Sequence, residues 1–140
     1  MMNRILGLDM GEKFIGVAVS DPSKKIACGL ETYQRKGLEN DLVYLKCLIE
    51  QYEVECIVVG LPKQMDGSIG LQGEKILALV NQLRETLPCP VLTWDERLTT
   101  IWAERTLLEA DLSRRKRKKV INKLAAQLIL QNYLDYRAAH

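Results

Sequence analysis

The sequence predicts an α/β fold: a five-stranded mixed sheet with helices on both faces, in the order β-β-β-α-β-α-β-α-α. Three observations predict it. Two apolar strands joined by a tight turn open the chain, over Ile5 to Asp21. Short apolar runs then alternate with amphipathic helices, as in sheets whose strands run parallel and are covered on both faces. Finally, the 140 residues contain no repeat, linker or low-complexity stretch, so 1–140 reads as a single domain, long enough to build a core without disulfides or metals.

Ile5, Leu6 and Leu8 form the first strand, which ends in Asp9; Gly11 turns the chain, and Phe14 to Val19 is nearly all apolar. Asp21-Pro22-Ser23 is a turn, after which Ile26 to Tyr33 reads as a third strand. Leu38, Leu42, Leu45, Ile49 and Tyr52 recur at helical spacing. Glu55 to Gly60 is a short buried strand, followed by a polar loop over Leu61 to Ser68. Ile76, Leu79, Val80, Leu83 and Leu87 mark the second helix, and Pro88 and Pro90 stop it. Val91 to Trp94 gives a fifth strand, ending in Asp95-Glu96-Arg97. Thr99 or Thr100 can cap a third helix running to about Glu109. The basic run Arg114 to Lys119 precedes the last helix, where Ile121, Leu124, Ala125, Leu128 and Asn132 share one face.

Composition removes several function classes. No apolar run approaches the roughly 18–20 residues that span a bilayer, and a strand begins too early for a signal peptide, so a cytoplasmic protein without membrane contact is expected. Cys28, Cys47, Cys56 and Cys89 have no zinc-like spacing and are expected to be reduced, mostly buried thiols. The one histidine is His140, which rules out Ser-His-Asp and Cys-His nucleophilic sites. Hydrolytic chemistry must therefore use carboxylates, lysines, tyrosines or a carboxylate-bound metal. Net charge is +2, yet six of the twenty basic residues are the consecutive Arg114 to Lys119. Such a cationic segment on an otherwise mildly acidic body suits a polyanionic partner, although a solvated charge run is the plainer reading.

In open α/β sheets, ligands gather at the carboxyl ends of the parallel strands. Asp9 and the pair Asp95-Glu96 stand at such ends. Asp9 alone could cap its turn as an Asx turn. Acids converging from distant sequence repel unless a cation lies between them, and oxygen-only sets suit Mg²⁺ or Mn²⁺. Asp95 and Glu96 point to opposite sides of a continuing strand, so one of the two is expected to face the site.

GLDMGEKFIGVAVSD, IVVGLPKQMDGS, DERLTT and KKVINKLAAQLILQNYL resemble the "putative pre-16S rRNA nuclease" family, also labelled YqgF or RuvX and described as Holliday-junction-resolvase-like. The resemblance covers nearly the whole chain. It implies a ribonuclease-H-like fold and a divalent-metal nuclease that matures the 5′ end of the small-subunit ribosomal RNA precursor. By position it makes Asp9 the first acid and Asp95-Glu96 the acid pair, with Glu96 preferred as ligand. Its third acid, in a pattern like V-D-x-x-A-A, falls on Asn122 here. Asn can still offer a carbonyl oxygen, or it can simply serve as a first-turn residue. A second departure is Lys63-Gln64, where the family often has an apolar residue and Asn, and it bears on the substrate loop.

The expected site is thus Asp9, Glu96 and Asn122, with Asp95 as a further metal candidate. Lys13, Arg97, Arg114, Arg115, Lys116, Arg117, Lys118 and Lys119 are the expected nucleic-acid contacts. Three functions fit: a metal nuclease on precursor ribosomal RNA, a resolvase of branched DNA acting as a homodimer, or a nucleic-acid-binding module weakened in catalysis by Asn122. An actin-like ATPase half is disfavoured, since its nucleotide lies between two domains, and no Walker A pattern occurs.

Overall fold

A computed structural model describes residues 3–96 and 114–140. Its elements are β1 (Arg4–Met10), β2 (Phe14–Ser20), β3 (Ala27–Gln34), α1 (Leu38–Tyr52), β4 (Val54–Leu61), α2 (Leu71–Thr86), β5 (Val91–Asp95) and α3 (Arg114–Ala139). The sheet order is β3-β2-β1-β4-β5. β2 pairs antiparallel with β1 and β3, whereas β4 pairs parallel with β1 and β5. The mixed five-stranded sheet expected from the sequence is therefore present. The helix expected over 99–109 lies outside the described residues.

Local chemistry explains the joints. Asp21 accepts hydrogen bonds from the Lys25 and Ile26 amides at 2.8 Å each, which closes the turn before β3. The Ser23 hydroxyl, then those amides, hold the Asp21 carboxyl well below the usual carboxylate range. On β3, Glu31 pairs with Val17 but Gly29 with Ala18, so Leu30 is the extra residue of a bulge. Such a kink spoils an edge strand as a template for further pairing.

The sheet's two faces are built differently. On one, Leu6, Leu8, Ile15, Val17, Ile57 and Val59 pack against α1 and α2 through Leu45, Leu48, Ile76, Val80 and Leu83. On the other, Ile5, Ala18 and Val58 meet Ala125, Ala126, Ile129, Leu130 and Leu134 of α3. There the helix comes unusually close. A methyl group added at Gly16 would lie 1.8 Å from the Asn122 carbonyl oxygen, so only glycine fits beneath that turn of α3.

Three expectations are corrected. The basic run does not precede the last helix; it forms the first turns of α3. Lys and Arg are good helix formers, and the unfavourable dipole term at an N-terminus is only about 0.3–1 kcal/mol each, so the helix extends through them. The buried stripe of α3 is Ile121, Ala125, Ala126, Ile129, Leu130 and Leu134, while Leu124, Leu128 and Asn132 are half-buried. The thiols are not mostly buried either: Cys28 on the edge strand and Cys47 on α1 are exposed, and Cys56 and Cys89 are partly so. No helix among the described residues is long and apolar enough to cross a membrane.

Candidate active site

Strand parity decides which acids meet. Ile5, Gly7 and Asp9 of β1 share the α3 face, as alternate residues must. β1 pairs with β4 through Leu8 and Val59, which brings Asp9 level with Gly60 one step further on. Gly60 in turn pairs with Trp94 of β5, and Trp94 packs edge-on against Tyr133 of α3, with ring centroids 5.9 Å apart. Glu96, two residues beyond Trp94, keeps to the same face. Its carboxylate lies over Gly60, since a methyl group there would be 2.6 Å from Glu96 Oε1. The absent side chain of Gly60 leaves room for Glu96 to reach across β4 toward Asp9, whose strand is only about 4.8 Å from β4.

Asn122 reaches this place from above. Its backbone rests on Gly16, the partner of Asp9 in the β1–β2 ladder. Asp9 and Glu96 are both buried, at 8% and 4% exposure, while Asn122 is half-buried. All three line one cleft of about 980 Å³.

One wall of the cleft is apolar, formed by Pro62, Met65, Leu71 and Ile76. Met65 and Leu71 are 96% and 80% exposed, unusual for such side chains beside a polar floor. The loop that carries Met65 is held by its own polar groups. Gln64 N–H donates to Ser68 O and Gly67 N–H to Gln64 O, each at 2.9 Å, and Ser68 Oγ donates to Asp66 Oδ1 at 2.6 Å. Gly67 takes φ +90°, where glycine is favoured. Sequence reasoning placed this loop but not its apolar outward residues, because turn residues dominate its composition.

Asp95 faces the other way and is not in the cleft lining; its Oδ2 lies 3.8 Å from Lys63 Nζ. Lys63 lines the cleft rim, so that pair ties β5 to the loop. Lys13 is exposed in the β1–β2 turn and outside the lining. Arg97 and the side chains of 114–119 lie outside the described residues.

The carboxylates of the cleft are those of Asp9 and Glu96, and Asn122, Gln64 and Gln72 add amide carbonyl oxygens to its lining. Hard divalent cations take such ligands, and both acids line one cleft, so the chemistry of the donors suits Mg²⁺ or Mn²⁺. Among the described residues no three acids, cysteines or histidines gather in a metal-sized group.

Comparison with known proteins shows the family and the fold. Residues 3–136 match the family model RuvX, described as Holliday junction resolvase. A protein of Desulforamulus reducens named "Putative pre-16S rRNA nuclease" is 54% identical over 132 residues, covering 94% of this chain and 96% of its own length. One of the same name from Caldanaerobacter subterraneus is 57% identical over 133 residues, with the same coverage of 94% and 96%. Among solved structures, Thermus thermophilus RuvC in complex with a Holliday junction substrate superposes with a TM-score of 0.57 at 12% identity, covering 97% of this chain and 96% of the other. The fowlpox virus Holliday junction resolvase gives 0.50 at 14% identity, covering 97% and 98%. At such identities the likeness is one of fold, and the fold is ribonuclease-H-like.

Proposed function

This chain belongs to the RuvX family, and from that premise we propose that it is a divalent-metal-dependent nuclease acting on structured RNA. Its proposed task is 5′-end maturation of the small-subunit ribosomal RNA precursor, in the cytoplasm. The names of relatives more than half identical over nearly the whole chain support the substrate. The observation that carries the chemistry is the meeting of Asp9 and Glu96, from distant strands, on one face and in one cleft.

In this reading Asp9 and Glu96 hold Mg²⁺ or Mn²⁺, and Asn122 adds a neutral oxygen. The bound ion supplies Lewis-acid stabilisation of charge at the scissile phosphate. The protein's own part is to orient: buried carboxylates on rigid strands would fix where the cation, and through it the phosphate, sits. The exposed apolar side chains of Met65 and Leu71 suit the faces of unpaired bases. Arg114 to Lys119 stand at the end of α3 nearer Asn122, where a cationic segment meets a phosphate backbone.

Asn122 favours a second reading, a binding module with little catalysis, because it removes one charge from the donor set. The family description favours a third, resolution of branched DNA, for which a homodimer would be needed to cut two strands symmetrically. One experiment separates them: structured precursor RNA and a four-way DNA junction are each incubated with Mg²⁺, Mn²⁺ or chelator, for wild type and Asp9→Asn. The expected outcome is metal-dependent cutting of RNA by wild type and none by Asp9→Asn, at unchanged thermal midpoint. Cutting of the junction alone would install the resolvase reading, and binding without any cutting the module.

A further inference from the structure

Arg35, the residue after β3, joins three parts of the fold. Its Nε donates to Asp41 Oδ2 at 2.8 Å and its Nη1 donates to the Gly11 carbonyl at 3.1 Å. Its own main-chain N–H donates to Lys13 O at 2.8 Å. Asp41, in the first turns of α1, is only 2% exposed, and it also accepts the Lys36 N–H at 3.1 Å. The Tyr33 phenol, raised in pKa first by burial, hydrogen-bonds the same carboxylate.

The segment these groups hold is the β1–β2 turn, which follows Asp9 directly. Gly11 N–H donates to Phe14 O at 2.9 Å, and Glu12 pairs with Lys75 of α2 at 3.6 Å. Gly11 itself lines the cleft. The turn is therefore tied to α1 through Arg35 and to α2 through Glu12.

Burying an ion pair gains little stability, because desolvation offsets most of the attraction. A guanidinium used along two edges, one on a carboxylate and one on a carbonyl, instead fixes geometry that an ammonium cannot. We propose that Arg35, anchored by Asp41, is a positioning residue that locks the β1–β2 turn and so sets how the Asp9 carboxylate meets the cleft. The proposal rests on the metal-site reading above for its consequence in catalysis, but the locking itself stands on the turn alone.

The test uses the full chain with Arg35→Lys, which keeps a charge beside Asp41 but cannot span to Gly11. Asp41→Asn is the second variant, keeping the side-chain shape and loosening the anchor. Three quantities are read: amide hydrogen exchange at Gly11 without metal, Mn²⁺ affinity from the paramagnetic signal of free ion, and kcat and KM on RNA. Losing one charge-assisted hydrogen bond predicts Gly11 exchange about tenfold faster in Arg35→Lys. Mn²⁺ affinity and kcat should fall several-fold with KM unchanged, while exchange in the α1–α2 core stays as in wild type. Unchanged Gly11 exchange in both variants would overturn the proposal. So would faster exchange with unaltered Mn²⁺ affinity and kcat, since the pair would then be a plain structural tie. If Asp9→Asn leaves wild-type Mn²⁺ binding intact, the metal reading falls, and exchange at Gly11 together with kcat still decides the role of Arg35.

Discussion

The two faces of the sheet obey different packing rules. Under α1 and α2 the contacts are between large branched side chains, the usual way to fill a core. Under α3 the sheet offers glycines and alanine, and the helix answers with Ala125 and Ala126, so backbone nearly touches backbone. The thick face stabilises. The thin face brings Asn122 down beside Asp9 and leaves the space over Gly60 that the Glu96 carboxylate occupies. The candidate site lies where side chains are smallest, because close approach is what lets a helix and three strands line one cleft.

Matched substitutions should break this contrast most visibly. Gly16→Ala places a methyl group against the Asn122 carbonyl and should cost about 3 kcal/mol by overpacking, with cleavage reduced at least about tenfold even where the protein remains folded. Leu45→Ala, fully buried on the thick face, should cost about 2–5 kcal/mol yet keep the specific activity of its folded fraction. Urea unfolding paired with cleavage assays reads both. Full activity in Gly16→Ala would mean that the seating of α3 does not matter to the site.

A smaller effect should come from charge on the thin face. Asn122→Asp adds a third carboxylate beside Asp9 and Glu96. Without metal, like charges should lower the thermal midpoint by a few degrees, about 1 kcal/mol. With Mn²⁺ the shift should reverse, and cleavage should need less metal than in wild type. An identical midpoint in chelator and in Mn²⁺ for both proteins would place residue 122 outside any metal shell.

The smallest expected effect is a pH slope from Cys56, on the α3 side of β4. Burial pushes its thiol up to about 11 from 9.0, with Glu55 adding to the shift. A raised folded-state value means that the native protein binds more protons than the unfolded chain between about pH 9 and 11, so stability should decline across that window. Partial exposure makes the decline shallow. Cys56→Ala should flatten it in thermal melts; an equal slope in the variant would assign the loss to another group.

Much of this was legible in the residues because strands advertise themselves by two-residue alternation and helices by their wider period. That Asp9 and one of Asp95 and Glu96 share a cleft follows from strand ends and parity, whereas the preference for Glu96 and the place of Asn122 came from the family resemblance. The buried stripe of α3 was read one step off, since the apolar run Leu128-Ile129-Leu130 suits more than one face and only the glycines beneath it choose. Arg35 and Asp41 gave no signal at all. An acid four residues into a helix looks like ordinary first-turn polarity, and its burial depends on a turn more than twenty residues upstream.

The seat of α3 also governs when the fold can be completed. Gln131 of α3 accepts the Ala27 amide of β3 across 104 residues of chain. At a synthesis rate of about 5–20 residues per second, the helix follows the strand it covers by roughly 5–20 s. Until then the strands that lead to Asp9 and Glu96 have no lid on their thin face, and the cationic segment follows Glu96 by a further 18 residues or more. Under the proposed activity, a half-made chain beside its own ribosome would hold neither a finished cleft nor a grip on RNA, and cutting would begin only once the last helix had closed over the glycines.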